Sequence, residues 1–161
     1  MRFAKWIAFC LLLCSIPAGA QAQAPVLSKG QTLYLPIYSH IWYGENDRGK
    51  PDRALVSVLV SIRNADPTRT IFLRSARYYD TDGKELREYV ASPRTIRPMG
   101  TMELFIPRSD DTGGSGANFV IAWHADTAVN APVVEALHIN LASGSGRSVA
   151  FTTSARPIAV D

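Results

Sequence analysis

Apolar and polar residues alternate along most of the chain, and the alternation breaks at clusters of glycine, proline, aspartate and asparagine. A period of two marks a half-buried strand. Leu33, Leu35 and Ile37, continuing toward Ile41, alternate with Tyr34, Pro36, Tyr38 and His40. Pro36 has no N–H to donate, so this first strand is expected at a sheet edge or at a switch between sheets. Glu45 to Asp52 is charged and reads as a loop. Ala54, Val56, Val58, Val60 and Ile62 then give the cleanest strand, β-branched on one face, which stops at the turn Arg63 to Pro67.

The next run, Thr70 to Tyr79, is out of phase with itself. Ile71 and Leu73 share one face while Ala76 and Tyr78 share the other, and a bulge near Arg74 and Ser75 would bring all four to one side. Asp80-Thr81-Asp82-Gly83 predicts a hairpin into a short strand from Lys84 to Val90. Met102, Leu104 and Ile106 predict another strand. Phe119, Ile121 and Trp123 alternate with Val120, Ala122 and His124 in a third, with a turn from Asp126 to Pro132. In Val133 to Leu141 the leucine and isoleucine face also carries Glu135, which leaves its buried side open. Ser143 to Gly146 reads as a turn, and Val149, Phe151 and Thr153 close the domain.

Seven to eight short antiparallel strands without a helix predict an all-β domain, with an immunoglobulin-like β-sandwich as the first expectation. The domain is placed at 31–153, between a flexible leader at 23–30 and a C-terminal tail at 154–161. Ahead of it, Arg2 and Lys5, an apolar run from Trp6 to Ile16, Pro17 and the small residues Ala18 to Ala22 have the form of a signal peptide over 1–22. Cleavage is expected after Ala20 or Ala22. The apolar run is shorter than the roughly 20 residues that a spanning helix needs, so no membrane span remains after cleavage. The expected location is the periplasm or the outside. Leu13 stands where a lipobox has a small residue before its cysteine, which argues against a lipoprotein at Cys14.

Composition then removes several kinds of chemistry. Both cysteines, Cys10 and Cys14, lie in the leader, so the mature domain has no disulfide, thiolate nucleophile or cysteine-held zinc. The chain has 17 basic and 14 acidic residues; without Arg2 and Lys5 the balance is 15 against 14. Nothing in that balance calls for a nucleic-acid partner. No pattern calls for a cofactor.

The segment Asp110 to Asn118, with Gly113, Gly114 and Gly116, is the most unusual local chemistry. It reads as an elaborate turn, and as a function it could offer a backbone nest for an anion or a partner-binding loop. Gly113 to Ala117 resembles a serine nucleophile elbow only superficially, since Ala117 replaces the final glycine and a strand follows where a helix is required. Asp82-Gly83 does not head an EF-hand, because Tyr78 and Tyr89 would occupy the first and twelfth ligand positions. A looser calcium site joining that turn to Asp110 and Asp111 stays open. His124 and His138 could meet on adjacent strands, and His40 or His124 could work with Asp110, Asp111 or Asp126 in an enzyme. Trp123 is in phase with the core, whereas Trp42 is freer.

Gln31 to Gly44, Leu55 to Asn64, Tyr78 to Gly83 and Gly113 to Phe119, taken in order, resemble a bacterial secreted or lipoprotein family known only as a domain of unknown function (family 3124). The resemblance implies an envelope protein. It supplies no activity and no active-site residues. The residues themselves point to a non-catalytic binding or interaction module, with a calcium- or anion-binding accessory domain as the alternative and an enzyme behind both. The candidate binding positions are Asp110, Asp111, Ser115 and Asn118 in the glycine loop and Tyr38, His40 and Trp42 in the aromatic tip, and the candidate partner is a protein of the cell envelope.

Overall fold

A computed structural model describes residues 26–141 and 148–159; the signal segment and the Ser143 to Gly146 turn fall outside them. The described residues form strands and no helix. In order these are β1 (Ser28–Pro36), β2 (His40–Glu45), β3 (Pro51–Leu55), β4 (Ser57–Arg63), β5 (Ile71–Tyr79), β6 (Glu85–Glu88), β7 (Arg94–Ile96), β8 (Thr101–Ile106), β9 (Asn118–Val129), β10 (Val133–Asn140), β11 (Val149–Ser154) and β12 (Arg156–Ile158). A six-stranded sheet runs β12-β1-β9-β5-β6, with β7 also on β5, and a four-stranded sheet runs β11-β10-β4-β8. All pairings are antiparallel.

The inward faces of the two sheets make one core. Leu33, Leu35, Leu73, Tyr78, Phe119, Ile121 and Trp123 from the first meet Val58, Val60, Ile62, Leu104 and Ile106 from the second. The predicted bulge lies between Leu73 and Ser75, and it puts Ile71, Leu73, Ala76 and Tyr78 all inside. The hairpin at Asp80 forms with Gly83 at positive φ (81°), a conformation that only glycine adopts without cost.

Pro36 is not on an edge strand, because β1 lies between β12 and β9. The proline is tolerated because β12 pairs only as far as Tyr34, and the Pro36 carbonyl instead accepts the Thr153 hydroxyl at 2.7 Å. The chain does switch there: Ile37 N–H still donates to Ala117, and Tyr38 N–H donates to Nε2 of His138, on the other sheet. The predicted first strand is therefore two, and β2 pairs with β3 as a separate hairpin. The stretch read as a turn from Asp126 extends β9 to Val129, and Arg156–Ile158 is a strand on β1.

The ambiguous strand β10 buries Val134, Ala136 and His138, and leaves Leu137 and Ile139 half-buried outside. The choice follows from Glu135. Burying the leucine face would have buried that carboxylate too, at a cost greater than leaving two aliphatic side chains partly wet. Facing out, Glu135 accepts from Arg63 at 2.7 Å. His138 is enclosed by Phe151, stacked at 4.5 Å, and by the edge of Tyr38 at 5.7 Å.

The end of the sandwich-like pair of layers away from the β2–β3 hairpin is closed by polar side chains. Asn64 donates to the carbonyls of Arg69, Ile96 and Arg97 and accepts from Asp66 N–H. Asp66 accepts backbone N–H groups of Thr68, Arg69 and Asn130, which hold its carboxyl below the usual range.

Candidate functional site

The other end brings the sequence candidates together. The segment between Ile106 and Asn118 folds over the β1–β2 turn and the Asp80 hairpin. Ser39 N–H donates to Gly114 and Thr81 N–H to Gly113, both at 2.9 Å. The Thr81 hydroxyl also donates to the Gly113 carbonyl and accepts Gly116 N–H, each at 3.0 Å. Under the loop, the fully buried Ser39 hydroxyl is 3.0 Å from the Tyr78 hydroxyl. Burial pushes the Tyr78 phenol above its ordinary range, the Ser39 hydrogen bond opposes, and the nearby Asp110 carboxylate adds to the rise.

This packing explains two of the glycines. A Cβ on Gly113 would collide with the Tyr78 hydroxyl and lie 2.8 Å from Ala117, and one on Gly114, at φ 78°, would collide with the Thr81 hydroxyl. Gly114 N–H is donated to the Asp111 carbonyl at 3.2 Å and Gly116 N–H to Thr81. A backbone nest needs such N–H groups free for the anion, and these two are already bonded within the protein.

The carboxylates are engaged as well. Asp110 accepts the Thr112 hydroxyl at 2.6 Å, Asp80 accepts the N–H groups of Asp82 and Lys84, and Asp111 accepts from Arg53 of β3 at 3.1 Å. Among the described residues no three His, Asp or Glu side chains are grouped to hold a metal ion. The bridging calcium site therefore finds no ligand cluster there. Ser115 and Asn118 are half-buried, Ser115 within the loop and Asn118 as the first residue of β9, facing Pro36 and Tyr79 in the register.

The aromatic tip splits into packed and free members. Tyr38 is half-buried, its ring edge-on to His138 and Phe151 at 5.7 and 5.6 Å. His40 is 7% exposed, stands edge-on to Trp42 at 5.1 Å and has no partner at Nδ1. Burial lowers its pKa, the Arg53 guanidinium lowers it further and Asp111 partly opposes, so His40 is neutral at pH 7. Trp42 and Tyr43 are the free rings, 55% and 44% exposed. Cross-strand neighbours share a face of a hairpin. His40 and Trp42 thus sit with Arg53 on the side of the glycine loop, while Ile41 and Tyr43 sit with Ala54 and Asp52 on the other. That second side, together with Arg53 and Leu55, lines a groove of about 790 Å³ whose far wall includes Arg108, Asn140 and Val149. Asn140 is committed within it, donating to the Leu55 carbonyl at 2.7 Å.

Other sequence expectations separate. His124 and His138 do not lie on adjacent strands: β9 and β10 belong to different sheets, His138 points into the core and His124 points outward. Nδ1 of His124 accepts from Arg74 at 3.0 Å, and its ring stacks on Phe72. Among the described residues no histidine is hydrogen-bonded to Asp110, Asp111 or Asp126, the pairing an enzyme would have needed. Trp123 is in the core at 2% exposure, as its phase predicts. Sequence reasoning missed Ser39, Arg53 and Thr81. The spacing between Ser39 and Tyr78, and between Arg53 and Asp111, carries no local pattern, so only the topology reveals them.

No curated protein matches the chain. Among solved structures, one titled Crystal Structure of Thermotoga maritima 1070 is 13% identical, with 80% of this chain and 94% of that chain covered at a TM-score of 0.45. The family model described as Protein of unknown function (DUF3124) matches residues 30–158, a span that holds both sheets, the hairpin and the glycine loop, and the chain belongs to that family.

Proposed function

We propose that this chain is a non-catalytic binding module of the bacterial envelope, exported by the signal peptide and built as an immunoglobulin-like sandwich that presents the β2–β3 hairpin to a protein partner. The observation that carries the reading is the exposure of Trp42 and Tyr43 on a hairpin that belongs to neither sheet. Large aromatic rings anchor protein interfaces because they bury much area and lose little side-chain entropy. The glycine loop supports the reading from one side, where Asp111 pairs with Arg53 of the hairpin. Non-consecutive strand neighbours in both sheets favour the immunoglobulin-like arrangement, whose end loops and hairpins commonly carry recognition.

The test is crosslinked capture from the native envelope with the tagged mature protein, beside a folded variant carrying Trp42→Ala and Tyr43→Ala. One recurring partner, identified by mass spectrometry and lost from the variant, is the expected result. A partner retained in equal amount by the variant would move the site away from the hairpin and overturn the reading.

A further inference from the structure

The outward face of the six-stranded sheet carries a second, independent surface. Here β12, β1, β9 and β5 lie side by side, and their register places Arg156, Tyr34, Val120 and Arg77 in one row across the sheet. Two rows along, Gly30, His124 and Phe72 face each other, with Arg74 at the bulge beside them. Between the rows lies a trough of about 570 Å³, lined by Thr32 and Ala122 and rimmed by Lys29, Arg74 and His124.

The cations on this face are held but not neutralised. The guanidinium of Arg156 lies over the Tyr34 ring at 5.7 Å and that of Arg77 over Tyr79 at 6.0 Å. Arg74 donates its Nε–H to His124, whose ring is fixed against Phe72 at 5.0 Å. The two ion pairs of the described residues use Arg53 and Arg63, so Arg74, Arg77 and Arg156 have no carboxylate partner there. Arg77 has its Nε buried without any hydrogen-bond partner. Because Nδ1 of His124 accepts a hydrogen bond, its neutral ring carries the proton on Nε2 and is a donor there. Glu88 stands opposite Arg77 in the β5–β6 register, with its carboxylate accepting the N–H groups of Ala76 and Val90; Glu85 stands opposite Tyr79 and accepts from its hydroxyl at 3.5 Å, and Asp126 is exposed beyond His124 on β9.

We propose that this face, at the juxtaposition of Arg74, Arg77 and Arg156, binds an acidic polysaccharide that carries a carboxylate on its sugar rings. Arginine recognises carboxylates through paired N–H donors, and stacking on a ring pre-positions the fork at little further entropic cost. Strands spaced ~4.8 Å apart put Arg156 and Arg77 ~14 Å from each other across the sheet. That spread suits a linear chain with one charge per ring. Duplex DNA, with one charge per ~1.7 Å, is held through a large positive field, which 15 basic against 14 acidic residues beyond Lys5 do not offer. The Thr32 hydroxyl and His124 Nε2–H supply donors for sugar hydroxyls.

The experiment is a fluorescence-anisotropy titration of the mature protein with labelled oligogalacturonate. A neutral oligogalactan of equal length, single-stranded DNA and phosphatidylglycerol vesicles serve as parallel probes. Expected are binding to the uronate alone, weakened by salt, and a rise in Kd of at least tenfold in an Arg74→Ala, Arg156→Ala variant that melts at the native temperature. Arg63→Ala, which removes a charge from the other sheet, leaves the Kd unchanged. Equal binding of the neutral glycan, tighter binding of DNA or vesicles, native affinity in the double variant, or no binding at millimolar uronate would each overturn the proposal. None of these outcomes depends on the hairpin, whose partner is tested separately.

Discussion

The glycine loop and the β2–β3 hairpin lie side by side at one end of the molecule and differ in almost every physical respect. The loop is tied to its surroundings through Ser39, Thr81 and Tyr78, and the N–H groups of Gly114 and Gly116 and its aspartates are used. The hairpin leans out with two exposed rings and is joined to the loop by one ion pair between half-exposed side chains. In the sequence the loop was the more unusual stretch. In the fold its glycines answer to packing, and the ordinary-looking hairpin is the part left free to meet something else. The unusual composition answers to a constraint on the backbone, since Gly113 and Gly114 leave no room for a side chain.

The sharpest way to break this contrast is to add one carbon to the loop. Gly113→Ala places a methyl where the Tyr78 hydroxyl and Ala117 already stand. Tyr78 is fully buried and stacked on Phe119, so it cannot move aside. Overpacking of this kind costs about 1–3 kcal/mol, and this site, with two fixed neighbours, should lie at the upper end in urea unfolding of the variant. Tyr78→Phe removes the obstructing oxygen. In the double variant the methyl should cost distinctly less than it does alone, a coupling that a double-mutant cycle measures. Additive effects would mean that the loop does not rest on that hydroxyl.

Acid offers a second, comparable lever at the root of the hairpin. His138 is fully buried, and burial lowers its pKa from 6.5 to about 4, since the backbone contacts of Phe151 and Ala136 only partly compensate. Its Nε2 accepts Tyr38 N–H, which a protonated ring cannot do. With a depressed folded pKa, the unfolded chain takes up the proton first. The contribution is therefore complete above pH 6.5, declines as pH falls, and is gone by about pH 4. At about 1.4 kcal/mol per pH unit, that window corresponds to about 3 kcal/mol. His138→Phe should be less stable at pH 7, because the Tyr38 N–H loses its acceptor, yet should have a flatter profile between pH 6.5 and 4. An unchanged acid limb would assign the loss to other groups.

Much of the fold was legible in the sequence for a simple reason. Alternation in β4, β5, β8 and β9 is local, and so is the phase break that announces the bulge at Arg74. The face of β10 was not legible, because its inward residue His138 depends on rings contributed by Tyr38 and Phe151, from β1's exit and from β11. The split of the first strand was hidden for the same reason, since Tyr38 leaves the sheet to bond His138. At the candidate site, the sequence marked Asp111 and Trp42 but not Arg53, which sits between them. An ion pair 58 residues apart leaves no trace in either segment.

That ion pair gives the next smaller effect. Both partners are close to half exposed, so Arg53→Ala or Asp111→Ala should change global stability by at most ~1 kcal/mol. Its consequence is local. Without Asp111 opposing it, Arg53 continues to disfavour a charged His40, so Asp111→Ala should lower the His40 pKa further, while Arg53→Ala should raise it. NMR titration of the imidazole separates the two. An unchanged titration in both variants would mean that neither charge reaches His40.

A comparably small effect on stability is also the one that most directly separates the hairpin from the loop. Trp42 touches His40 edge-on and is just over half exposed. Replacing it by alanine removes only the covered part of an exposed ring, and the change in unfolding free energy should stay within about 1 kcal/mol. An interface anchor of that size, by contrast, typically costs at least ~2 kcal/mol of binding when truncated, or more than ~25-fold in affinity. Once a partner is in hand, Trp42→Ala should therefore leave the melting curve nearly in place while weakening the complex by that factor. Gly113→Ala should do the reverse wherever it remains folded: it damages the scaffold, and it reduces binding only in proportion to the unfolded fraction. A Trp42→Ala protein that loses stability but keeps its affinity would make the hairpin part of the scaffold and erase the distinction between the two regions.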